Sequence, residues 1–147
     1  MIEAGIAQQN DSESYVSFTL YELGGASDVP QPVGLAGLKD VDYRNRTAEF
    51  VIVLGEESAR GRGYGTEATR LVLDYAFTVL SLRNIMLTVY ANNPAGLRAY
   101  EKAGFREFGR RTTAVEVAGQ HFDVIYMEAL AADFEGSILR ERFLPPN

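Results

Sequence analysis

The segment TAEFVIVLGEESARGRGYGTEATRLVLDYAFTVL, from Thr47 to Leu80, changes its repeat halfway along. Thr47 to Leu54 is rich in β-formers and reads as a strand. From Tyr64 the apolar residues Tyr64, Ala68, Leu71, Val72, Tyr75, Ala76, Val79 and Leu80 recur at helical spacing. That pattern is an amphipathic helix of about four turns. Arg70 and Asp74 fall on its other side. Between strand and helix stands Arg60-Gly61-Arg62-Gly63-Tyr64-Gly65. Its alternate glycines let the backbone approach a ligand closely. The helix that follows directs free N–H groups and its positive dipole end at the loop, an arrangement suited to phosphate. Arg60 and Arg62 add charge able to pair with phosphate oxygens.

Two familiar phosphate motifs do not fit. The mononucleotide loop G-x-x-x-x-G-K-[ST] requires a lysine, and none stands in this loop. The dinucleotide motif G-x-G-x-x-G fails in register, because counting from Gly61 its last position is Thr66. The next strand ends in Tyr90-Ala91, without the acidic residue that would hold a ribose. A glycine-rich turn that merely joins strand to helix is the plainer alternative.

Outward from this centre, Tyr15 to Leu23, Val33 to Asp42, and Ile85 to Ala91 read as strands. A polar turn spans Tyr43 to Arg46. Asn92 and Asn93 introduce Pro94, and a short helix runs from Ala95 to Ala103, stopped by Gly104. A strand pair follows, turning at Ala118-Gly119, with His121 as a surface strand residue. The stretch before Ser14 is polar and expected to fray. The tail from Ala131 holds a short helix. The fold class is α/β, an α+β mixed sheet, in a single domain over residues 1–147 with flexible residues 1–14 and a C-terminal tail over 131–147.

Composition narrows the function. The net charge is −6 and the pI is about 4.8, which argues against nucleic-acid binding. There is no cysteine and one histidine, so thiolate chemistry and a multi-histidine metal site are excluded, and no metal is expected. No secretory leader and no apolar run of ~18 residues is present, so no membrane contact and a cytoplasmic setting are expected.

Two segments together resemble the GNAT superfamily of N-acetyltransferases. Arg60 to Gly65 matches its [Q/R]-x-x-G-x-[G/A] signature between strand and helix. The second segment is ANNPAGLRAYEKAGF, Ala91 to Phe105. The ending TAVEVAGQHFDVIYMEAL, Thr113 to Leu130, is similar to the branch that includes the RimJ and RimL acetyltransferases. The likeness spans Tyr15 to Leu130. It implies a GNAT-like fold: a mostly antiparallel sheet splayed around the cofactor, with helices on both faces. The family's initial strand and two helices, one wall of its acceptor site, are expected to be missing here. The edge of the Tyr15 strand would then lie uncovered and invite a homodimer.

The resemblance implies acetyl-CoA as co-substrate and an amine acceptor, a protein N-terminus or a small molecule, attacking the thioester directly. Arg60, Gly61, Arg62, Gly63, Tyr64, Gly65 and Thr66 would hold the pyrophosphate. Val53 and Leu54 would lie beside the pantetheine arm, adding it to the strand edge. Asn93 matches the family asparagine on that arm. Arg98 and Lys102, four apart on a helix, would reach an outer phosphate, or else form a solvated face. Tyr100 matches the tyrosine that serves the departing sulfur; its alternative is a core aromatic. Glu49, a water chain or, less favourably, Glu56 would take the amine proton, and an exposed structural carboxylate is the alternative for each. A non-catalytic CoA-binding or regulatory domain, and a scaffold that binds nothing, are the competing readings.

Overall fold

The computed structural model describes residues 2–9, 14–25, 28–55 and 63–144. In chain order it contains β1 (Ile2–Gln9), β2 (Val16–Glu22), β3 (Gln31–Asp42), β4 (Thr47–Leu54), α1 (Tyr64–Asp74), β5 (Asn84–Tyr90), α2 (Pro94–Ala103), β6 (Arg106–Val117), β7 (Gln120–Leu130) and α3 (Ile138–Phe143). The strands form one seven-stranded sheet in the order β1-β2-β3-β4-β5-β7-β6. Every neighbouring pair is antiparallel except β4 with β5.

The stretch before Ser14, expected to fray, instead supplies β1. It pairs with β2 from Ile2 opposite Glu22 to Gln9 opposite Val16. Its polar composition does not prevent pairing, because an open strand edge offers main-chain partners whatever the side chains are. The edge of β2 is thereby covered and, contrary to expectation, is not open to pairing with a second copy.

Period-two alternation in the strands puts one face inward. Phe18, Leu20, Leu38, Ala48, Phe50, Ile85, Leu87, Ile125 and Met127 are buried on that face. Both longer helices pack there: Phe18 meets Tyr75 edge to face at 5.2 Å, and Phe50 meets Tyr100 at 6.4 Å. The family likeness led to an expectation of helices on both faces. The described helices gather on one, and only the few residues 10–15 separate β1 from β2 along the chain. On the opposite face Leu35 and Val53, cross-strand partners, are 60% and 72% exposed.

The helix beginning at Tyr64 does not end at Asp74. It continues as a wider turn from Tyr75 to Val79, in which Leu80 N–H donates to the Tyr75 carbonyl at 3.1 Å. Such a bulge shifts the helix face late in its course. The polar side of α1 is not simply solvated. Asp74 is 3% exposed and accepts from the N–H groups of Ile138 and Leu139 at 2.9 and 3.1 Å. Thr78 Oγ1 donates to it at 3.0 Å, and Ser137 Oγ also bonds it. Arg70 lies 4.7 Å over the Phe134 ring and donates to the Glu135 carbonyl. This pair of side chains ties the C-terminal segment to the back of α1.

Candidate active site

Parallel pairing between β4 and β5 covers only three residues: Thr47, Ala48 and Glu49 opposite Asn84, Ile85 and Met86. Beyond Glu49 and Met86 the two strands part. The register shows which backbone groups border the gap. Gly55 N–H donates to the Val33 carbonyl at 2.9 Å, so Val33 and Gly55 are a directly hydrogen-bonded pair. The alternation of an antiparallel ladder then turns Val53, Val51 and Glu49 towards β3, and turns Leu54, Ile52 and Phe50 towards the gap. On the other side, Ala91 N–H donates to the Asp123 carbonyl at 2.9 Å. By the same alternation Thr88 and Tyr90 present their main chains to the gap. Val53 and Leu54, the strand residues singled out from the sequence, therefore divide: Leu54 borders the gap with its backbone, whereas the Val53 backbone faces β3. Phe50, Ile52, Thr88 and Tyr90 were missed. Their positions depend on pairing across distant segments, which the local pattern does not carry.

The start of α1 stands at the mouth of this gap. Gly63 precedes the helix with φ +71° and ψ +11°, and no side chain caps the end. The first helical bond runs from Glu67 N–H to the Gly63 carbonyl at 3.1 Å. The N–H groups of Tyr64, Gly65 and Thr66 thus have no acceptor within the helix. A Cβ on Gly65 would come within 3.5 Å of Ala99 Cβ and 3.8 Å of Leu54 Cδ1, so the first turn of α1 packs between the end of β4 and the middle of α2. Thr66 Oγ1 donates to the Ala99 carbonyl at 3.4 Å. Arg60, Gly61 and Arg62, with Glu56, lie outside the described residues.

The second motif builds α2. Asn93 caps it, its Oδ1 accepting from Gly96 N–H at 3.0 Å, and Pro94 occupies the first turn. A Cβ on Gly96 would meet Asn93 Nδ2 at 2.5 Å, so this cap needs glycine there. At the other end, Gly104 has φ +118°. Phe105 N–H closes on the Tyr100 carbonyl at 2.9 Å, and Gly104 N–H on the Glu101 carbonyl at 3.1 Å. This is a Schellman stop, with its usual apolar contact between Phe105 and Tyr100, centroids 6.2 Å apart. Tyr100 is thereby fixed over Phe50, the first β4 residue beyond the parallel pairing. Burial raises the pKa of its phenol above 10.0, which favours the protonated form. Its hydroxyl has no hydrogen-bond partner among the described residues. Arg98 and Lys102 are exposed on α2.

Glu49 lies one residue before Phe50, so its side chain points to the opposite face of the sheet. It pairs with Lys39 at 3.1 Å. That hydrogen bond and the Glu49 charge raise the Lys39 pKa above 10.5. Thus Tyr100 and Glu49 flank the divergence of β4 and β5 from opposite faces. Two cavities of about 600 and 610 Å³ lie elsewhere, against the C-terminal segment, and none of the candidate residues lines them. Among the described residues no cluster of carboxylates and histidine suits a metal ion, and no helix is long and apolar enough to cross a membrane.

A mixed sheet opened between two parallel strands, with an uncapped helix start at the opening, defines the acetyltransferase type of fold. The chain belongs to the acetyltransferase (GNAT) domain family, which matches residues 1–106. It is 34% identical over 102 residues to the spermidine N(1)-acetyltransferase of Vibrio cholerae serotype O1, covering 69% of this chain and 58% of that protein. It is 31% identical over 103 residues to the putative ribosomal N-acetyltransferase YdaF of Bacillus subtilis, covering 70% and 56%. The chain therefore spans just over half the length of these curated relatives. The crystal structure of the Vibrio cholerae spermidine N-acetyltransferase in complex with CoA and spermine superposes with a TM-score of 0.72 at 30% identity, covering 82% of this chain and 68% of that one.

Proposed function

We propose that this chain binds acetyl-CoA in the gap between β4 and β5 and transfers the acetyl group to a primary amine. The observation that carries this reading is the three-residue parallel pairing, which leaves the main chains of Phe50, Ile52 and Leu54 turned towards an open slot. An amide-bearing pantetheine arm fits such an edge as an added strand would. Its pyrophosphate would meet the N–H groups of Tyr64, Gly65 and Thr66, which have no acceptor within the helix, together with Arg60, Gly61, Arg62 and Gly63. Asn93 caps α2, the helix beside that first turn, and Arg98 and Lys102 stand on it. A cytoplasmic setting belongs to the same proposal.

The chemistry follows from the two faces. The amine, arriving at the open face, attacks the thioester carbonyl carbon with its lone pair. The C–S bond breaks and its electrons leave on sulfur. Glu49, directly or through water, takes a proton from the nitrogen. Tyr100, on the helix face, gives one to sulfur. The products are an amide and the free thiol, and solvent returns both residues to their starting forms. A protein N-terminus, with pKa near 7.7–8.0, needs less help from Glu49 than an alkylamine near 10.4. The names of the relatives support either acceptor, a polyamine or a ribosomal protein. A homodimer, if formed by strand pairing, would use β1 or β6, the outer strands of the sheet.

A second reading has its own support. The bare face around Leu35 and Val53 suits a non-catalytic CoA-binding domain whose acceptor wall is incomplete. Thiol release from acetyl-CoA, measured across a panel of amines alongside a thermal melt with CoA, separates the two. Stabilisation with amine-dependent thiol release supports the enzyme. Stabilisation without it supports the binding domain, and neither result would remove both.

A further inference from the structure

We propose that Glu128 is a specificity-determining residue that selects acceptors carrying a second cationic nitrogen; the proposal rests on the acceptor face assigned above. The register places Lys39, Glu49, Met86, Glu128 and Arg106 in one row across five strands, on the face away from the helices. Met86 is the last β5 residue paired with β4, so the row crosses the sheet at the point where the gap opens. Glu49 and Glu128 are two strands apart, about 10 Å between backbones, one on either side of Met86.

The two carboxylates differ in what they touch. Glu49 is neutralised by Lys39 at 3.1 Å. Glu128 is half-buried and, among the described residues, receives only the amide of Asn84, at 3.5 Å. Arg106 faces it in the register yet makes no ion pair with it among the described residues. A half-buried negative charge with a neutral partner gains by taking up a cation, whereas a paired one does not. A nitrogen attacking above Met86 would carry a second ammonium, a few methylenes away, to Glu128. A monoamine of the same reach would leave that carboxylate as it stands. The preference is thus for an alkyl diamine or longer polyamine.

The test compares 1,4-diaminobutane with butylamine on the wild type, Glu128→Gln and Glu128→Asp. Two readouts are taken: KM and kcat for acetyl transfer, and thermal stabilisation of the CoA-saturated protein by each amine. In the wild type the diamine is expected to bind more tightly than the monoamine. In Glu128→Gln its KM should rise about five-fold, the scale of one partly exposed ion pair. The KM of butylamine and both kcat values should hold. Glu128→Asp, which keeps the charge, should keep part of the preference. Equal treatment of the two amines by the wild type, or an undiminished preference in Glu128→Gln, overturns the proposal. If no amine is acetylated yet the diamine still stabilises the protein in a Glu128-dependent way, the catalytic reading fails and this one stands.

Discussion

Tyr100 meets Phe50 edge to face, ring centroids 6.4 Å apart and planes at 80°. The contact ties the stop of α2 to the residue where β4 leaves β5. Tyr100 therefore has a packing role beside the role proposed for it at the leaving thiolate, and substitution can separate the two. Tyr100→Phe keeps the ring and removes the hydroxyl. We expect kcat to fall about 100-fold, within the usual range for a general acid. Stability and CoA-induced stabilisation should stay within about 0.5 kcal/mol of the wild type. A variant that loses stability but not kcat would reduce Tyr100 to a core aromatic.

The pH dependence has a definite sign. Burial raises the phenol's pKa, so the proton is held to higher pH than in a free tyrosine. If Tyr100 is the acid, the alkaline fall of kcat begins above about 10. Steady-state rates between pH 8 and about 11 would show it, and a limb that falls well below 10 assigns the acid elsewhere.

In the proposed mechanism Glu49 stands at the other end of the proton path. Glu49→Gln should lower kcat about 100-fold near neutral pH for an alkylamine acceptor, and less for an acceptor with an α-amine. Raising the pH should restore part of the loss, because the amine then arrives already neutral. The Lys39 ammonium that pairs with Glu49 has a raised pKa, so the pair's contribution to stability is full below about 10.5 and is lost as pH rises through the higher value. Equal losses for both amine types at every pH would count against Glu49 as base.

Two glycines of the signature loop differ in why they are glycine. Gly63 has φ +71° and no described residue within 4 Å of an added Cβ, so alanine there is strained by its backbone. Gly65 has an ordinary helical backbone, and an added Cβ meets Ala99 at a normal 3.5 Å. Gly63→Ala should therefore cost about 1–2 kcal/mol and weaken CoA-induced stabilisation. Gly65→Ala should fold normally and keep it. Calorimetric melts with and without CoA check both, and the reverse order would contradict the assignment.

The local elements were legible because their signals are local. Gly104 and Phe105 announce the stop of α2, and Ala118-Gly119 turns with both φ values positive, +50° and +79°, as a tight hairpin requires. Thr47 to Leu54 was bounded correctly. What needed the fold was anything set by pairing between distant strands. Which of Val53 and Leu54 offers its backbone to the gap depends on one hydrogen bond from Gly55 to Val33. In the sequence Glu128 is one polar position in an alternating strand, and only the register brings it into the row with Glu49. β1 escaped notice because its polar residues are held by main-chain bonds.

Asp74 shows the same limit, and it carries the last prediction. On the helical wheel it falls on the polar side of α1, where solvent is the simple expectation. Instead it is buried and accepts from two backbone N–H groups and two hydroxyls of the bulge and the C-terminal segment. Asp74→Ala strands those donors, each charge-assisted bond being worth about 1.5–3 kcal/mol before relaxation. Because the segment is at the surface, water can reach the freed N–H groups once it lifts away. The net loss should then be about 2–3 kcal/mol rather than the sum. Hydrogen exchange should speed up at Ile138 and Leu139 and little in β4 and β5, and CoA-induced stabilisation should persist, since Asp74 touches nothing at the gap. Uniform acceleration across the sheet would mean that the C-terminal segment is part of the core's cooperative unit and not a strap fastened to it.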